Sequence, residues 1–370
     1  MDHGIDPDIR RATTLPAEVY TDPAVFARLR EEVFARSWQL VADTGDLAEP
    51  GRCLPATLLP GLLDEPLLFT RDEGDTLHCV SNVCTHRGAL ICEEPGTAGP
   101  LHCRYHGRRF GLDGRFLSMP GFEGAEDFPR AEDDLPEVPF ARWRRLLFAS
   151  ADPAIPFEAL IGDLDARLGW LPIERAELDP SRSRDYELPA NWALWCDNYL
   201  EGFHIPFVHP SLAPKLDFDA YETEVYAWSN LQVGVASGDE DVFDIPAGAP
   251  DHGRRIAGYY AWAFPGTVFN FYPWGISVNL VQPLAHDRTR IRYLTYVWDE
   301  SRLDRGAGAG LHGVELEDQD IVASAGRGVR SRFYRRGRFS PKHEACVHHF
   351  HQLLGRALGG AAPSGNGAPG

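Results

Sequence analysis

Hydrophobic positions along the chain change from a helical to a strand-like spacing and back again. Residues 16–37 carry apolar side chains at steps of three and four, which predicts a helical segment with a start signal at Asp22-Pro23. From Trp38 to Asp152, short apolar runs are broken by Gly, Pro and Asp, as in a small all-β domain. Strands are predicted over residues 67–70, 77–80, 110–116 and 146–149.

The pattern after residue 152 predicts a larger domain of mixed composition, separated by the polar, Pro-broken residues 152–156. Apolar spacing predicts helices over 157–168, 194–203 and roughly 315–334, and alternation over 221–298 predicts a large antiparallel sheet. We therefore expect an α+β protein. Its predicted parts are an N-terminal helical segment that packs on the larger domain (1–37), the all-β domain (38–152), the larger domain (153–358) and a disordered tail (359–370).

Two short motifs in the predicted β domain each pair one thiol with one imidazole. Cys84-Thr-His86 and Cys103-Arg-Tyr-His106 are separated by sixteen residues. A cluster with two Cys on one iron and two His on the other needs each loop to supply one ligand to each metal, so the motifs predict a Rieske-type [2Fe–2S] centre. Structural zinc is the alternative, but zinc sites usually pair Cys with Cys and His with His.

A second constellation lies in the larger domain. His204 and His209 are five residues apart, and Glu201 stands three residues before the first of them. Two His with a carboxylate can hold Fe(II) and leave positions open for oxygen. Paired His alone are more often ordinary helix residues, so the prediction of a mononuclear iron site depends on the Cys/His motifs upstream in the same chain.

Together these motifs resemble the catalytic α subunit of Rieske non-heme iron oxygenases. The resemblance extends over nearly the whole chain, including Leu15-Pro-Ala-Glu-Val-Tyr20, Ala190-Asn-Trp192 and Arg327-Gly-Val-Arg-Ser331. The chain is most similar to the choline, carnitine and glycine-betaine monooxygenases, which carry Glu at the position of Glu201, where many aromatic-ring dioxygenases carry Asp. The resemblance implies an all-β Rieske domain and a helix-grip catalytic domain, in which an antiparallel sheet wraps around long helices.

The resemblance also implies roles for particular residues. An acidic residue ten positions before the Gly of an Arg-Gly segment completes the iron site of His204 and His209, and counting back from Gly328 gives Asp318. Asp320 and Glu317 remain alternatives, because the Gln that commonly precedes Arg-Gly is Gly326 here. Glu201 would bridge His106 of one subunit to His204 of the next, which implies a homotrimer.

Three departures from the family pattern leave the substrate open. Arg104 and Arg108 replace a usual Pro and Trp beside the second Cys/His motif, and Cys196-Asp197 replaces a common Glu at the start of the mononuclear motif. None removes a predicted metal ligand. The resemblance therefore implies the cofactors, a [2Fe–2S] cluster and mononuclear Fe(II), more firmly than it implies the substrate.

The implied activity is that of a terminal oxygenase. Electrons from NAD(P)H would arrive through a separate reductase or ferredoxin, because the chain has no Gly-rich dinucleotide fingerprint. We expect a monooxygenase that hydroxylates or dealkylates an N-methylated or quaternary amine. An aromatic-acid or ring hydroxylase of the same architecture is the alternative. A Rieske electron carrier without catalysis would not need Glu201, His204 and His209.

Composition limits the partners and the compartment. The formal net charge of −18 argues against nucleic acid and anionic membranes as partners. No apolar run approaches the eighteen residues of a membrane span, and the N-terminus lacks a secretory pattern. The five Cys outside the cluster motifs show no disulfide-framework spacing, so we expect a cytoplasmic protein with reduced thiols.

Three further patterns have ordinary explanations. The aromatic residues within 259–274 are expected in the core, with one or two rings lining a pocket, where aromatic faces could hold a quaternary ammonium. The Arg-rich stretch 327–338 is expected to be a solvated helix face, with docking of a redox partner as the alternative. The His residues within 343–351 are expected as surface or core residues of a helix rather than metal ligands.

Overall fold

The computed structural model describes residues 4–359 and contains two compact units. One unit is Trp38–Pro153, and the other joins the N-terminal segment up to Ser37 to the chain from Ala154 onward. Of the predicted disordered tail, residues 360–370 lie outside the described residues.

The smaller unit is built of three antiparallel sheets, with the orders β1-β10-β9, β4-β3-β2-β5 and β6-β7-β8. Its strands are β1 (Gln39–Asp43), β2 (Arg52–Leu58), β3 (Glu65–Arg71), β4 (Leu77–Ser81), β5 (Gly96–Thr97), β6 (Leu101–His102), β7 (Arg109–Phe110), β8 (Phe116–Ser118), β9 (Phe140–Trp143) and β10 (Leu146–Ala149).

One predicted strand of this unit is wrong. Only its two end residues lie in strands, Phe110 in β7 and Phe116 in β8, and residues 111–115 form a turn in which the Gly111 N–H donates to the Arg115 carbonyl at 2.8 Å. The turn needs a left-handed residue, and Gly114 supplies it with φ of +84°. The Asp113-Gly114 pair is a turn signal that outweighed the apolar residues on either side.

The larger unit contains seven α-helices and eight strands among its described residues. The helices are α1 (Ala17–Thr21), α2 (Pro23–Leu29), α3 (Phe157–Leu168), α4 (Trp192–Tyr199), α5 (Ile205–Val208), α6 (Leu311–Gly328) and α7 (Ala345–Gly359), and a π-helical turn, Arg30–Phe34, follows α2. The strands are β11 (Glu177–Leu178), β12 (Arg184–Leu188), β13 (Glu222–Val225), β14 (Ser229–Val235), β15 (Ile256–Ala263), β16 (Thr267–Tyr272), β17 (Gly275–Ala285) and β18 (Arg288–Val297).

These strands form one antiparallel sheet, ordered β11-β18-β17-β16-β15-β14-β13, with β12 also pairing β18. Its long β17–β18 hairpin pairs Val281 with Ile291. Helices α4 and α7 pack against the sheet, because the buried Phe350 ring contacts Trp192 of α4 and Trp262 of β15, with ring centroids 5.7 and 5.4 Å apart. The predicted α+β fold is confirmed.

A buried histidine fixes the N-terminal segment to these helices. The Leu15 N–H donates to Nδ1 of His351 at 2.9 Å, so this nitrogen acts as the acceptor of a neutral ring. His351 Nε2 then donates to Asp197 at 2.8 Å, and the Tyr20 hydroxyl donates to the other oxygen of Asp197 at 2.9 Å. The end of α4, where the iron motif begins, is therefore held by residues from both ends of the chain.

Several predicted helices differ in their bounds. The predicted helix over 194–203 ends at Tyr199, and a separate short helix follows from Ile205. The long helix runs from Leu311 to Gly328 instead of 315–334, so most of the Arg-rich stretch lies beyond it and is not a helix face. In the N-terminal segment Pro23 starts a new helix, since proline lacks the N–H that would continue α1. No helix among residues 4–359 is long and apolar enough to cross a membrane.

Acid should destabilise the larger unit through His349. Burial lowers the pKa of His349 to about 4, against about 6.5 in an unfolded chain. Between these two pKa values, the unfolded state binds a proton that the folded state does not. The free energy of unfolding therefore falls as the pH drops from about 6.5 towards about 4, and the loss is roughly 2 kcal/mol at about pH 5. Denaturant unfolding of the wild type and His349→Gln at about pH 7 and about pH 5 should show this extra loss in the wild type alone. Equal losses would contradict it.

Candidate metal centres and the substrate cavity

Three side chains from two distant parts of the chain converge beside α5 and α6. His204 precedes α5, His209 follows it and Asp318 lies on α6. The two Nε2 atoms are 3.2 Å apart, and Asp318 Oδ1 is 3.0 Å from Nε2 of His209 and 3.5 Å from Nε2 of His204. Ligands at right angles around an ion, with bonds of about 2.1 Å, would be about 3.0 Å apart. The spacing fits three ligands on one face of a metal ion.

The hydrogen bonds of the two Nδ1 atoms determine whether the facing Nε2 atoms act as donors or acceptors. His204 Nδ1 lies 2.8 Å from Glu201 Oε1, and His209 Nδ1 lies 2.8 Å from Glu317 Oε2. Each Nδ1–H donates to a carboxylate, so each Nε2 presents a lone pair to the other and to Asp318. With both rings neutral, the three inner atoms are all acceptors, so the site needs a proton or a metal ion between them, and two imidazoles with a carboxylate suit Fe(II).

Burial opposes charge at this site, but the partners outweigh it. Burial alone would lower the pKa of His204, yet hydrogen bonds with Asp318 and Glu201 raise it to about 9. Burial alone would raise the pKa of Asp318, yet the two imidazoles lower it. A proton and a metal ion therefore compete for the same position between these side chains.

The structure separates the three acidic candidates on α6. Asp318 faces both imidazoles, Glu317 contacts only the outer nitrogen of His209, and Asp320 is exposed. Sequence reasoning missed Asn198, whose amide donates to Asp318 Oδ1 at 2.7 Å. It lies near the end of α4, and no local sequence pattern connects it to Asp318 on α6.

The two Cys/His loops of the smaller unit share one backbone geometry. In each loop the Cys N–H donates to the carbonyl five residues later, and the Gly four residues later donates to the Cys carbonyl, at 2.8–3.0 Å. These glycines, Gly88 and Gly107, have φ of +72° and +77°, where a side chain would be strained. The loops after β4 and β6 are therefore matched halves of one site, although their His residues stand at different positions in the motif.

The side chains of these loops lie in the order that a Rieske cluster requires. Cys84 and Cys103 are buried, whereas His86 is half-buried and His106 is exposed. The two imidazole centroids are 4.8 Å apart, and the Tyr105 ring stacks on His106 at 3.8 Å. Two inner thiols and two outer imidazoles fit a [2Fe–2S] cluster with its His-bound iron towards solvent.

Arg108, one of the departures from the family pattern, is almost fully buried between these loops. Its guanidinium donates to the Asp133 side chain at 2.5 Å and lies 4.9 Å from the Phe116 ring centroid. The Thr85 hydroxyl of the first loop donates to the Asp133 carbonyl at 2.8 Å. Asp133 therefore connects both cluster loops, and Arg108 occupies an aromatic setting with its charge paired.

A cavity opens beside the three converging side chains of the larger unit. Six aromatic side chains line it, Trp195, Tyr199, Tyr221, Tyr260, Tyr272 and Tyr293, and its polar residues include Gln232, Asn270, Asn279 and Glu315. Two rings of the aromatic segment 259–274 line it, Tyr260 and Tyr272, while most of the others are buried in the core. The remaining rings come from separate elements that no local sequence pattern connects.

Comparison with known families identifies both units. Residues 37–129 match the Rieske [2Fe-2S] domain, and residues 175–360, half of the chain, match the ring hydroxylating alpha subunit (catalytic domain). The chain belongs to this ring-hydroxylating oxygenase family. It is therefore an enzyme that uses a Rieske cluster and a mononuclear iron, as the resemblance implied.

Named relatives of this oxygenase act as monooxygenases. It is 27% identical to the chloroplastic choline monooxygenase of Beta vulgaris, over 96% of this chain and 80% of that protein. It is 28% identical to the carnitine monooxygenase oxygenase subunit of Escherichia coli K12, over 94% of this chain and 95% of the subunit.

Solved structures of Rieske oxygenases share the fold of this chain. The quaternary ammonium Rieske monooxygenase CntA in complex with L-carnitine superimposes with a TM-score of 0.75 at 25% identity, covering 95% of this chain and 97% of that one. Naphthalene 1,2-dioxygenase from Rhodococcus shares the fold with a TM-score of 0.74 at 19% identity, covering 94% and 95%.

The environment of Glu317 predicts its effect on metal binding. Glu317→Gln should lower the affinity of the larger unit for Fe(II) by about tenfold, because an amide orients the His209 ring less strongly than a carboxylate does. Asp320→Asn, the same change at an exposed position of α6, should leave the affinity unaltered. Iron content after dialysis against graded chelator measures both, and the cluster absorption should stay the same. Equal iron loss in the two variants would contradict the distinction.

Proposed function

We propose that this oxygenase hydroxylates a small N-methylated or quaternary amine, and that hydroxylation of an N-methyl carbon leads to dealkylation. The observation that carries the proposal is the aromatic cavity beside His204, His209 and Asp318, since aromatic faces attract quaternary ammonium ions. The choline and carnitine monooxygenases named above support this substrate class.

The residue roles follow from the geometry. Cys84, His86, Cys103 and His106 would hold the cluster, and His204, His209 and Asp318 would hold the iron. When bound, the cluster and the iron would supply electron transfer and O2 activation; with electrons from the reductase and protons from solvent, one oxygen atom would enter a C–H bond and the other would leave as water. We assign Glu201 and Glu317 to fixing the imidazole tautomers, and the tyrosine-lined wall to excluding water around the substrate.

Electron transfer between subunits is part of the proposal. Glu201 Oε1 accepts from His204, and among residues 4–359 Oε2 accepts only the His204 backbone N–H at 2.9 Å, so this oxygen can accept a further donor. Exposed aromatic residues stand near each centre: Phe207 is 80% exposed on α5, and Tyr105 is 62% exposed beside His106. A structure of CntA is described as revealing inter-subunit electron transfer. We infer a homotrimer in which the partner's His106 reaches Glu201.

The cellular setting is also a proposal. None of the seven Cys, all of them within the described residues, forms a disulfide, and the five outside the cluster motifs are free thiols, which supports a reducing, cytoplasmic location. Electrons would come from NAD(P)H through a separate reductase or ferredoxin, for which the exposed arginines after α6 offer a basic contact surface.

Oxygen uptake tests the substrate class. The purified oxygenase should consume no O2 with NADH alone. With a surrogate reductase it should consume O2 with choline, carnitine or glycine betaine, in a ratio of product to O2 near one. Benzoate-type acids at equal concentration should give only background uptake. Coupled hydroxylation of an aromatic acid without any turnover of the amines would replace this proposal by a ring hydroxylase.

Mixing two inactive variants tests the route between subunits. His106→Ala lacks a working cluster and His204→Ala lacks the iron, so each homomer should be inactive. In randomly reassembled mixed rings, about one quarter of the contacts join an intact cluster to an intact iron, so activity should return to about one quarter of the wild-type value. Mixed oligomers verified by mass spectrometry that stay inactive would show transfer within one chain.

A further inference from the structure

Glu315 is a largely buried carboxylate that the metal site does not use. It lies on α6, one turn before Asp318, and its side chain is 15% exposed. No group among the described residues donates a hydrogen bond to it. The basic side chain found within 4.0 Å is His312, whose Nδ1 is 4.0 Å away and is already 2.8 Å from the Tyr186 hydroxyl.

The surroundings of Glu315 disfavour its charge. Burial raises the pKa of Glu315 to about 7, with Arg184 opposing and Asp318 adding to the shift. Its charge also adds to the burial that raises the pKa of Tyr293, and both side chains line the same cavity. A buried carboxylate without a donor costs free energy unless a cation joins it.

The position of Glu315 shows where such a cation would lie. Glu315 lines the cavity beside the iron ligands together with Tyr272 and Tyr293. It also lines a neighbouring cavity with Arg184 and His312, and Leu311 is common to both. A cation entering the first cavity would meet this carboxylate and the tyrosine rings.

We propose that Glu315 selects the positively charged head group of the substrate, as the electrostatic partner of a quaternary ammonium in the tyrosine-lined cavity. The inference rests on the proposed function. A quaternary ammonium has no N–H, so it suits a carboxylate that is placed for charge without hydrogen-bond geometry, and its methyl groups fit aromatic faces. Glu315 thus acts in specificity and holds no metal.

The experiment compares binding of cationic ligands with binding of their uncharged analogues, in the wild type and in Glu315→Gln. Choline, glycine betaine and carnitine are each titrated anaerobically into the holoenzyme. For each compound, the matching analogue in which carbon replaces the ammonium nitrogen, which makes the head group neutral, is titrated in parallel. The EPR spectrum of the nitric oxide–Fe(II) adduct reports binding without turnover. Glu315→Gln should raise the Kd of the ammonium compounds by about tenfold or more and shift the neutral analogues by less than about twofold. Glu158→Gln, the same change at an exposed site on α3, should alter neither.

Other outcomes separate the two proposals. Wild-type binding of ammonium compounds that Glu315→Gln leaves unchanged, or an equal loss for charged and neutral ligands, overturns the role of Glu315 and leaves the amine substrate intact. A wild type that prefers the neutral analogues overturns both. Glu315→Asp keeps the charge and should retain most of the preference for cations, so it tests the inference even where the amide variant fails to load iron. Loss of that preference in the aspartate variant with both metal centres intact would count against it.

Discussion

The larger unit is organised around three facing acceptor atoms that need a cation, a proton or a metal ion, between them. His204, His209 and Asp318 present two imidazole lone pairs and one carboxylate oxygen within 3.0–3.5 Å of one another. Such an arrangement is unfavourable in a buried setting unless a cation occupies its centre. The rest of the unit keeps the three groups in place. Helices α4 and α6 carry the supporting residues, and the N-terminal segment holds α4 through His351 and Asp197.

Carboxylates outnumber cationic side chains around the iron ligands, and the role of each carboxylate depends on the group that it contacts. Glu201 and Glu317 each accept an imidazole N–H, so each negative charge also fixes a ring orientation. A divalent ion offsets Asp318 together with part of this charge. Glu315 touches neither imidazole, so its charge remains available to the cavity, where the cation of a substrate would lie.

The sequence predicted the parts of the site that depend on local spacing, and it could not decide those that depend on packing. Both Cys/His motifs and the His204–His209 pair are short-range patterns. The choice among Glu317, Asp318 and Asp320 was open, because neighbouring helix positions differ by about 100° and only the packing of α6 shows which one faces the imidazoles. The tyrosine wall was equally hidden, since its rings come from α4, a loop and several strands.

The surroundings of two buried charged residues show that one has a structural role and support a binding role for the other. Arg108 replaces an aromatic residue of the family, and the chain provides it with Asp133 as a partner and aromatic rings as walls, so its charge is satisfied inside the fold. Glu315 has aromatic neighbours but no comparable partner among the described residues. Removing one member of a buried pair leaves the other charge unpaired, which costs several kcal/mol, whereas an unpaired buried charge carries its cost in the free protein. The cost of an unpaired buried carboxylate is offset when a cationic ligand binds next to it. For this reason Glu315, unlike Arg108, supports a cationic substrate.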